Sequence, residues 1–574
     1  MNRFLRLSFS TLIILIIAAA SFTLYFSFSS YSDAKRWLDS ISTDHNVVSF
    51  TIDRFYSIIM KARIVACFML VTAFVLLLFR KIILLQINKI CISSFEYLKI
   101  FFGEIRSSIR TENRFHLIAL LIIFLSGFLI KLYHLFQPIS YDEAFTYLYF
   151  VQRPLVIGLS DYSYPNNHLF HTLLSHLSCS VFGNALWAIR LPAFVAGVLI
   201  CPATYITGRK IFNKDTALLA SALVAVNNTI SEHSVMARGY TLTALFFLVL
   251  LFLSEEIRSG NKKGAWLFFI LFSVMGLYTV PIFLYAFMIV FVFNIFFTGQ
   301  NKNMRRESLI SVLTIGLLTF LVYLPPILVS GFRSIVANDY IQTHELSTLI
   351  IPAKIFFRSL CTIWFRGIPV SIIFVLLIGL VIGFFLPEKN RNLPLITIIT
   401  LITIITIQHT IPPVRTFLYL LPLFFLFCSQ GIIFFIQKIP EKIKGTSLII
   451  LSLVFLFFAG CKALPLLPLH WDEISDNENI AKLLKTKLIP GDKVLAAIPV
   501  DYPLEYYFKR ESLSTDYFYS NSQEFSRLYV VVNEGSRQKL YTMLWEAKVK
   551  GIDFSHPIVF SQFEYSKVYL FEKK

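Results

Sequence analysis

The chain has 574 residues, of which 56% are hydrophobic and only 15% are charged. Soluble domains carry roughly 25% charged residues, so this composition excludes an ordinary soluble protein and predicts a polytopic membrane protein. The net charge of +18 fits basic cytoplasmic loops better than nucleic-acid binding, because no nucleic-acid motif is present. The seven cysteines lack CxxC or zinc-ligand spacing and indicate small buried apolar side chains.

The N-terminal region, residues 1–110, is predicted to hold two transmembrane helices and a cytoplasmic segment. Arg3 and Arg6 precede an apolar run that is too long for a cleaved signal peptide. We therefore expect an uncleaved anchor whose N-terminus is cytoplasmic. A second apolar run lies near 64–79, and residues 80–114 are rich in Lys and Arg, which is typical of the cytoplasmic side.

The central region, residues 111–466, is predicted to contain the other spans. The span near 115–136 runs outward and starts a first outer loop over 137–186. Within this loop, 167–182 is predicted to be an interfacial helix, because a full crossing would put Arg209 and Lys210 outside. Further spans are predicted near 187–207, 215–235, 240–257, 265–280, 281–298, 309–330, 368–386, 393–411, 416–436 and 447–466. About thirteen crossings leave the C-terminus outside.

The composition changes after residue 466, where 467–574 is predicted to form a small α/β domain on the outer face. Helices are expected at 479–488 and 538–547, strands at 493–498 and 528–532, and a hairpin at 557–571.

Charged and polar side chains collect on the predicted outer face. Asp142 and Glu143 follow the third span directly, where they are either helix-capping charges or functional carboxylates. Arg238 and Arg415 stand at the edges of two spans. Each could be a snorkelling anchor, but together they also fit a phosphate clamp, since guanidinium groups bind phosphate bidentately.

The segment Tyr164–His168 combines a turn with a helix start, so Asn166 is interpreted as a helix cap. His168 has no second metal ligand at a diagnostic spacing, and no metal site is predicted from it.

Several short motifs together resemble one family. Tyr141–Ala144 resembles the acidic motif of GT-C glycosyltransferases, in the branch of protein O-mannosyltransferases and aminoarabinose transferases (glycosyltransferase family 39). Similar family segments, in the same order, are Pro165–Phe170, Ile189–Pro192, Gly208–Phe212, Ala237–Tyr240 and Arg415–Pro422. The resemblance covers about 115–466. The acidic residue that many relatives carry shortly after the Arg segment is absent here, and Glu232 is a candidate substitute.

The resemblance implies a GT-C fold in a plasma membrane and a glycosyltransferase that uses a polyprenyl-phosphate sugar donor on the outer face. Asp142 would be the general base, with Glu143 orienting it or binding the acceptor. Arg238 and Arg415 would bind the donor phosphate. Asn167, His168 and Tyr240 would contact substrate.

The acceptor stays open between protein, lipid and glycan. An acceptor that is itself a phosphate would need no base. No cofactor is assigned, and a requirement for a divalent cation also stays open. The alternatives are a transporter or flippase of lipid-linked sugars and a non-catalytic protein of envelope-glycan assembly. A transporter would favour charges near the membrane midplane and internal repeats, whereas most charges here stand at the ends of the spans and no obvious repeat is present.

Overall fold

The computed structural model describes residues 3–41, 51–260, 263–298, 302–337, 350–386, 392–438, 449–457, 474–520, 524–550 and 557–572, with 440, 446–447 and 552. The chain divides into two compact units. One unit holds residues 1–107 and 262–268, and the other holds 108–261 and 269–574. The C-terminal residues therefore share a unit with the central helices.

The first unit is helical. Its helices are α1 (Arg3–Ser27), α2 (Tyr31–Ile41), α3 (Ile52–Leu78) and α4 (Arg80–Thr111), whose last turn extends into the second unit. Phe9 and Ile13 of α1 pack against Ala73 of α3 and Leu84 of α4. The basic segment that the sequence places in the cytoplasm is thus one long helix rather than a loop.

The second unit begins with helices that surround the candidate site. They are α5 (Arg114–His134), α6 (Tyr141–Thr146), α7 (Leu155–Ser160), α8 (Leu169–Phe182), α9 (Leu186–Ile211), α10 (Lys214–Val226), α11 (Asn228–Ser234) and α12 (Tyr240–Gly260). The later helices are α13 (Lys263–Thr279), whose residues up to 268 belong to the first unit, α14 (Leu284–Thr298), α15 (Lys302–Ser330), α16 (Arg333–Val336), α17 (Ile350–Trp364), α18 (Val370–Phe385), α19 (Asn392–Gln408) and α20 (Leu420–Ile436).

Six helices of the described residues are long and apolar enough to cross a membrane. They are Phe9–Ser27, Ile52–Leu78, Arg114–His134, Leu186–Ile211, Tyr240–Ser259 and Met304–Ser330. Shorter apolar helices coincide with the predicted interfacial helix 167–182 and with the predicted spans 265–280, 281–298, 368–386, 393–411 and 416–436. The molecule is therefore a multi-pass membrane protein. The predicted span 447–466 lies mostly outside the described residues.

The predicted span 215–235 is not one continuous helix. Asn227 takes an extended backbone conformation between α10 and α11, and its side chain accepts a hydrogen bond from the Ile230 backbone N–H. The asparagine thus caps α11 and ends α10 at the same point.

Small residues set the distance between α18 and α20. Gly379, Gly383 and Gly431 lie at the contact, and a Cβ placed on Gly431 would lie 1.9 Å from the Gly379 carbonyl oxygen. Such close backbone approach between membrane helices requires the smallest side chain.

In its described residues, the C-terminal region forms a four-stranded sheet with three α-helices. The strands β1 (Lys493–Leu495), β2 (Arg527–Asn533), β3 (Ile558–Gln562) and β4 (Ser566–Glu572) stand in the order β1-β2-β4-β3, with β1 parallel to β2 and the others antiparallel. The helices are α21 (Asn477–Lys485), α22 (Asp501–Arg510) and α23 (Leu540–Glu546). The predicted strands, helices and hairpin are confirmed, but α22 was not predicted.

Candidate active site

The two carboxylates begin a short helix that follows the end of α5. Ser140 is the N-cap of α6, and its backbone N–H donates to Glu143 Oε2 at 2.9 Å. Asp142 and Glu143 therefore lie in the first turn of α6, where the helix dipole favours negative charge. Although the two carboxylates are adjacent in the same helical turn, their surroundings differ.

Glu143 is fully buried and bound to an equally buried arginine. Arg190 of α9 donates from Nε to Glu143 Oε1 at 2.8 Å and from Nη2 to Oε2 at 2.9 Å. The remaining Arg190 donors reach the carbonyl oxygens of Leu135, Gln137 and Pro138. This guanidinium therefore fixes the chain between α5 and α6.

Glu143 also connects α6 to the segment that carries Arg238. The Ala237 backbone N–H donates to Glu143 Oε1 at 2.7 Å. With both oxygens of Glu143 hydrogen-bonded and no exposed surface, the carboxylate is arranged to position its neighbours rather than to meet substrate. The role of Arg190 was missed from the sequence, although an arginine inside an apolar span is a signal for it.

Asp142, in contrast, remains partly exposed beside both predicted phosphate-binding arginines. Its Oδ2 lies 3.3 Å from Arg415 Nη1 and 3.9 Å from Arg238 Nη1. The Asp142 side chain is 30% exposed, Arg415 is 48% exposed and Arg238 only 2%. The three residues, separated by up to 273 positions in the sequence, meet at one place.

Apart from the Asp142 carboxylate at 3.9 Å, the partners of Arg238 are neutral hydrogen-bond acceptors. Its Nη1 donates to Asn166 Oδ1 and, at 3.4 Å, to Thr146 Oγ1. Its Nη2 lies 3.4 Å from the Tyr240 hydroxyl, and its Nε has no hydrogen-bond partner among the described residues. A buried guanidinium with neutral partners keeps its positive charge available to an anion. Asn166 thus belongs to the cluster, which its interpretation as a helix cap did not anticipate.

His168 is a second donor beside Arg238. Burial, with the Arg238 charge as a further cause, holds the pKa of His168 well below its usual range. Its Nδ1 accepts a hydrogen bond from the Gly239 backbone N–H at 2.8 Å, so the proton of the neutral ring sits on Nε2. His168 Nε2 and Arg238 Nη2 lie 3.5 Å apart, so the ring and the guanidinium are neighbours in the site.

The absence of a side chain at Gly239 allows the His168 ring to approach the Gly239 backbone N–H. A Cβ at position 239 would lie 3.0 Å from His168 Nδ1 and 2.4 Å from Thr279 Cγ2. A larger residue would displace the histidine ring from the glycine N–H.

Asn167, predicted to contact substrate, instead closes its own loop. Its amide nitrogen donates to the carbonyl oxygens of Gly158 and Asp161 at 2.8 and 2.7 Å. Its Oδ1 accepts from the Thr172 hydroxyl at 2.7 Å, and the residue is fully buried. The Asn167 amide is therefore engaged within the protein, whereas Asn166 is the asparagine that contacts Arg238. Substrate contact by Asn167 stays a prediction.

Glu232, the candidate substitute for the missing acidic residue, forms an ion pair with Arg366. Three neighbouring side chains on the same stretch, Asn227, Asn228 and Thr229, donate to carbonyl oxygens at 363–366. Glu232 therefore fastens α11 to the end of α17. No group of three or more potential metal ligands occurs among the described residues.

A second charge cluster lies at the other end of the same helices. Arg209 and Lys214 approach Glu112 at 3.4 and 2.8 Å, and Lys210 pairs with Glu256. Helix α9 thus carries Arg190 of the site near its start and the basic residues in its last turn.

Comparison with known proteins places this site in a family context. Residues 167–327 match the family model of dolichyl-phosphate-mannose-protein mannosyltransferases, a segment that contains His168, Arg238 and Tyr240. A search of curated proteins gave no significant match.

The fold is similar to that of ArnT from Cupriavidus metallidurans. Its apo structure aligns with 12% identity and a TM-score of 0.53 over 79% of this chain and 97% of ArnT. The ArnT structure bound to undecaprenyl phosphate aligns with 11% identity, the same TM-score and the same coverage. The Archaeoglobus fulgidus oligosaccharyltransferase tethered with an acceptor peptide reaches a TM-score of 0.45 at 12% identity, over 76% of this chain and 71% of that one. The family match and the ArnT fold confirm the resemblance to GT-C glycosyltransferases.

Proposed function

We propose that this protein is a membrane glycosyltransferase that moves a sugar from a polyprenyl-phosphate donor to an acceptor hydroxyl on the outer face of the membrane. The observation that carries the proposal is the meeting of Arg238, Arg415, His168 and Asp142 at one partly exposed site. The ArnT fold supports it, because one ArnT structure holds undecaprenyl phosphate, a lipid of the proposed donor class.

The donor phosphate is assigned to the cationic side of the cluster. An oxygen between His168 Nε2 and Arg238 Nη2 would accept from both, and Arg415 would bind a second oxygen from the exposed side. The phosphate gains negative charge as its bond to the sugar breaks. Donors that are already positioned therefore stabilise the transition state more than the bound donor.

Asp142 is assigned as the general base. Without donor, its carboxylate is the anion facing both arginines. A phosphate that takes over these cations would leave the carboxylate to accept the proton of the acceptor hydroxyl. The acceptor oxygen then bonds to the anomeric carbon, the bond from that carbon to the phosphate oxygen breaks, and the electron pair leaves with the polyprenyl phosphate.

Glu143 enters this mechanism as a positioning residue. Its contacts with Ser140, Arg190 and Ala237 hold α6 against the segment leading to Arg238. The distance between the proposed base, Asp142, and the proposed phosphate site at Arg238 therefore depends on Glu143.

The test is turnover of radiolabelled polyprenyl-phosphate hexoses and pentoses by the purified protein in nanodiscs, followed as released polyprenyl phosphate. Asp142→Asn keeps the size of the side chain and removes its charge, so we expect at least a hundredfold loss of transfer. Asp161→Asn, on the same outer loop and outside the cluster, is the matched control and should keep wild-type turnover. Equal turnover by wild type and Asp142→Asn would remove Asp142 from the chemistry. No turnover of any donor would favour a transporter or assembly protein.

A further inference from the structure

A cluster of aromatic rings lies where the C-terminal sheet domain meets the acidic helix α6. Tyr502 of α22 contacts Tyr141 and Phe145, with ring centroids 5.2 and 5.1 Å apart. It also contacts Tyr149 at 5.6 Å, and Tyr164 contacts Phe145 at 5.2 Å. We call Tyr141, Tyr149, Tyr164 and Tyr502 the tyrosine seam. None of the four rings is fully buried, and Tyr164 is 37% exposed.

Asp501 brings a carboxylate to this seam. Backbone N–H groups of Asp501 and Tyr502 stabilise its carboxylate, but the shielded Oδ1 atom has no hydrogen-bond partner of its own among the described residues. Burial raises the pKa of Asp501 to about 6. Burial, then Asp501 and then Asp142 raise the pKa of Tyr141 to about 12, so both carboxylates lie within electrostatic range of the same phenol. A shielded acceptor atom without a donor is costly unless a ligand supplies one.

The charges around the seam disfavour an anionic ligand. Glu505 adds a second acidic group near Asp501, and it pairs with Lys509 at 3.7 Å. Arg153 stacks over Tyr149 at 5.2 Å, but its charge is shared with Asp161 at 3.7 Å. Among the described residues, both of these cations therefore have an acidic partner, and the carboxylates at the seam would repel a phosphate acceptor.

We infer that the tyrosine seam and Asp501 bind the acceptor, and that this acceptor is a neutral saccharide. A sugar ring presents an apolar C–H face that packs on an aromatic ring, and its hydroxyls donate hydrogen bonds. The tyrosine rings of the seam can pack against the C–H face of the sugar, and Asp501 Oδ1 can accept a hydrogen bond from one of its hydroxyls. The inference rests on the proposed function, since it supplies the hydroxyl that Asp142 would deprotonate.

The test is binding of the full-length protein in nanodiscs to an array of neutral bacterial envelope oligosaccharides and Ser/Thr-rich peptides. We expect wild type to bind oligosaccharides, and Asp501→Asn to bind them at least tenfold more weakly at pH 7.5. Tyr502→Leu should weaken binding similarly by removing an aromatic ring. The matched control is Glu534→Gln, an exposed carboxylate of the same domain that pairs with Lys567 outside the seam, and it should bind as wild type does.

Equal binding by wild type and Asp501→Asn would overturn the inference, and so would binding of peptides instead of oligosaccharides. The binding array contains no sugar donor. The donor-turnover assay contains no saccharide acceptor, because water can take the sugar when polyprenyl phosphate is released. The inference and the proposed function can therefore fail separately.

Discussion

At the residue scale, Arg238 does more than supply a positive charge. Its guanidinium reaches Asn166, Thr146 and the Tyr240 hydroxyl at once, which requires the planar, forked group of arginine. A lysine ammonium keeps the charge but cannot make these contacts in one geometry.

We therefore expect Arg238→Lys to lower kcat by about 10²–10³-fold, the cost of losing one preorganised donor to a developing anion. The KM for the donor should change much less. Steady-state rates measured over donor concentrations that reach saturation give both kcat and KM. Arg358→Lys, at an exposed position of α17, is the control for arginine replacement. A rise in KM with unchanged kcat would mean that Arg238 binds ground state and transition state equally.

The sequence predicted Asp142, Arg238 and Arg415 because their residue types stand at membrane edges, where charge is costly unless it is used. It could not separate Asn166 from Asn167, since adjacent positions in a turn point to different sides. Only the fold shows that the Asn167 amide is consumed by Gly158, Asp161 and Thr172. The same limit applies to Glu143, whose partner Arg190 lies 47 residues away.

At the element scale, the Glu143–Arg190 pair joins α6, α9 and the end of α5. Removing one member of a buried pair leaves the other charge without compensation, which costs roughly 3–5 kcal/mol. We expect Glu143→Gln to lower the melting temperature in detergent by several degrees and to reduce transfer.

A matched control is Glu112→Gln, whose partners Arg209 and Lys214 are 34% and 48% exposed and should tolerate its loss. Thermal unfolding of both variants, followed by tryptophan fluorescence, measures the difference. If Glu143→Gln unfolds like wild type yet loses transfer, its role is chemical rather than positional.

Replacing glycine by alanine should change stability in opposite directions at the contact between α18 and α20 and at an open position of α15. Gly431→Ala adds a Cβ that would meet the Gly379 carbonyl oxygen at 1.9 Å, so the two helices must separate and stability falls. Gly316→Ala in α15 meets no atom within 4 Å and should be neutral or slightly stabilising, since alanine favours helix by about 0.5–1 kcal/mol. Melting temperatures of the two variants give the comparison, and equal destabilisation would contradict this packing.

Periodicity and hydrophobicity were sufficient for most long helices, and the alternation of apolar residues located β2 and the β3–β4 hairpin. Periodicity and hydrophobicity failed to predict α22, because its sequence is rich in aromatic residues and contains a proline, in Tyr502-Pro503-Leu504-Glu505-Tyr506-Tyr507. Proline is tolerated here because it stands in the first turn of the helix, where its missing N–H has no partner. The break at Asn227 was hidden because the apolar pattern continues across it.

At the scale of the whole molecule, the two charge clusters lie at opposite ends of the same helices. The site cluster contains Asp142 of α6 and is joined by Arg190 near the start of α9. Arg209 and Lys210 lie in the last turn of α9, and Lys214 begins the next helix. Basic residues next to spans are retained in the cytoplasm. This polarity favours an outer-face site, and Tyr502 and Tyr507 of the C-terminal domain contact that site's helix and preceding chain.

We therefore predict that the C-terminus lies outside and the N-terminus inside. With epitope tags at both ends, proteinase K added to intact bacterial spheroplasts should remove the C-terminal tag and leave the N-terminal tag until the cells are lysed. A cytoplasmic marker protein, intact before lysis, is the control for leakage. Protection of both tags would require an even number of crossings with a cytoplasmic C-terminus. In that case the tyrosine seam and the Asp142 site would face the cytoplasm, and the proposed outer-face reaction would be wrong.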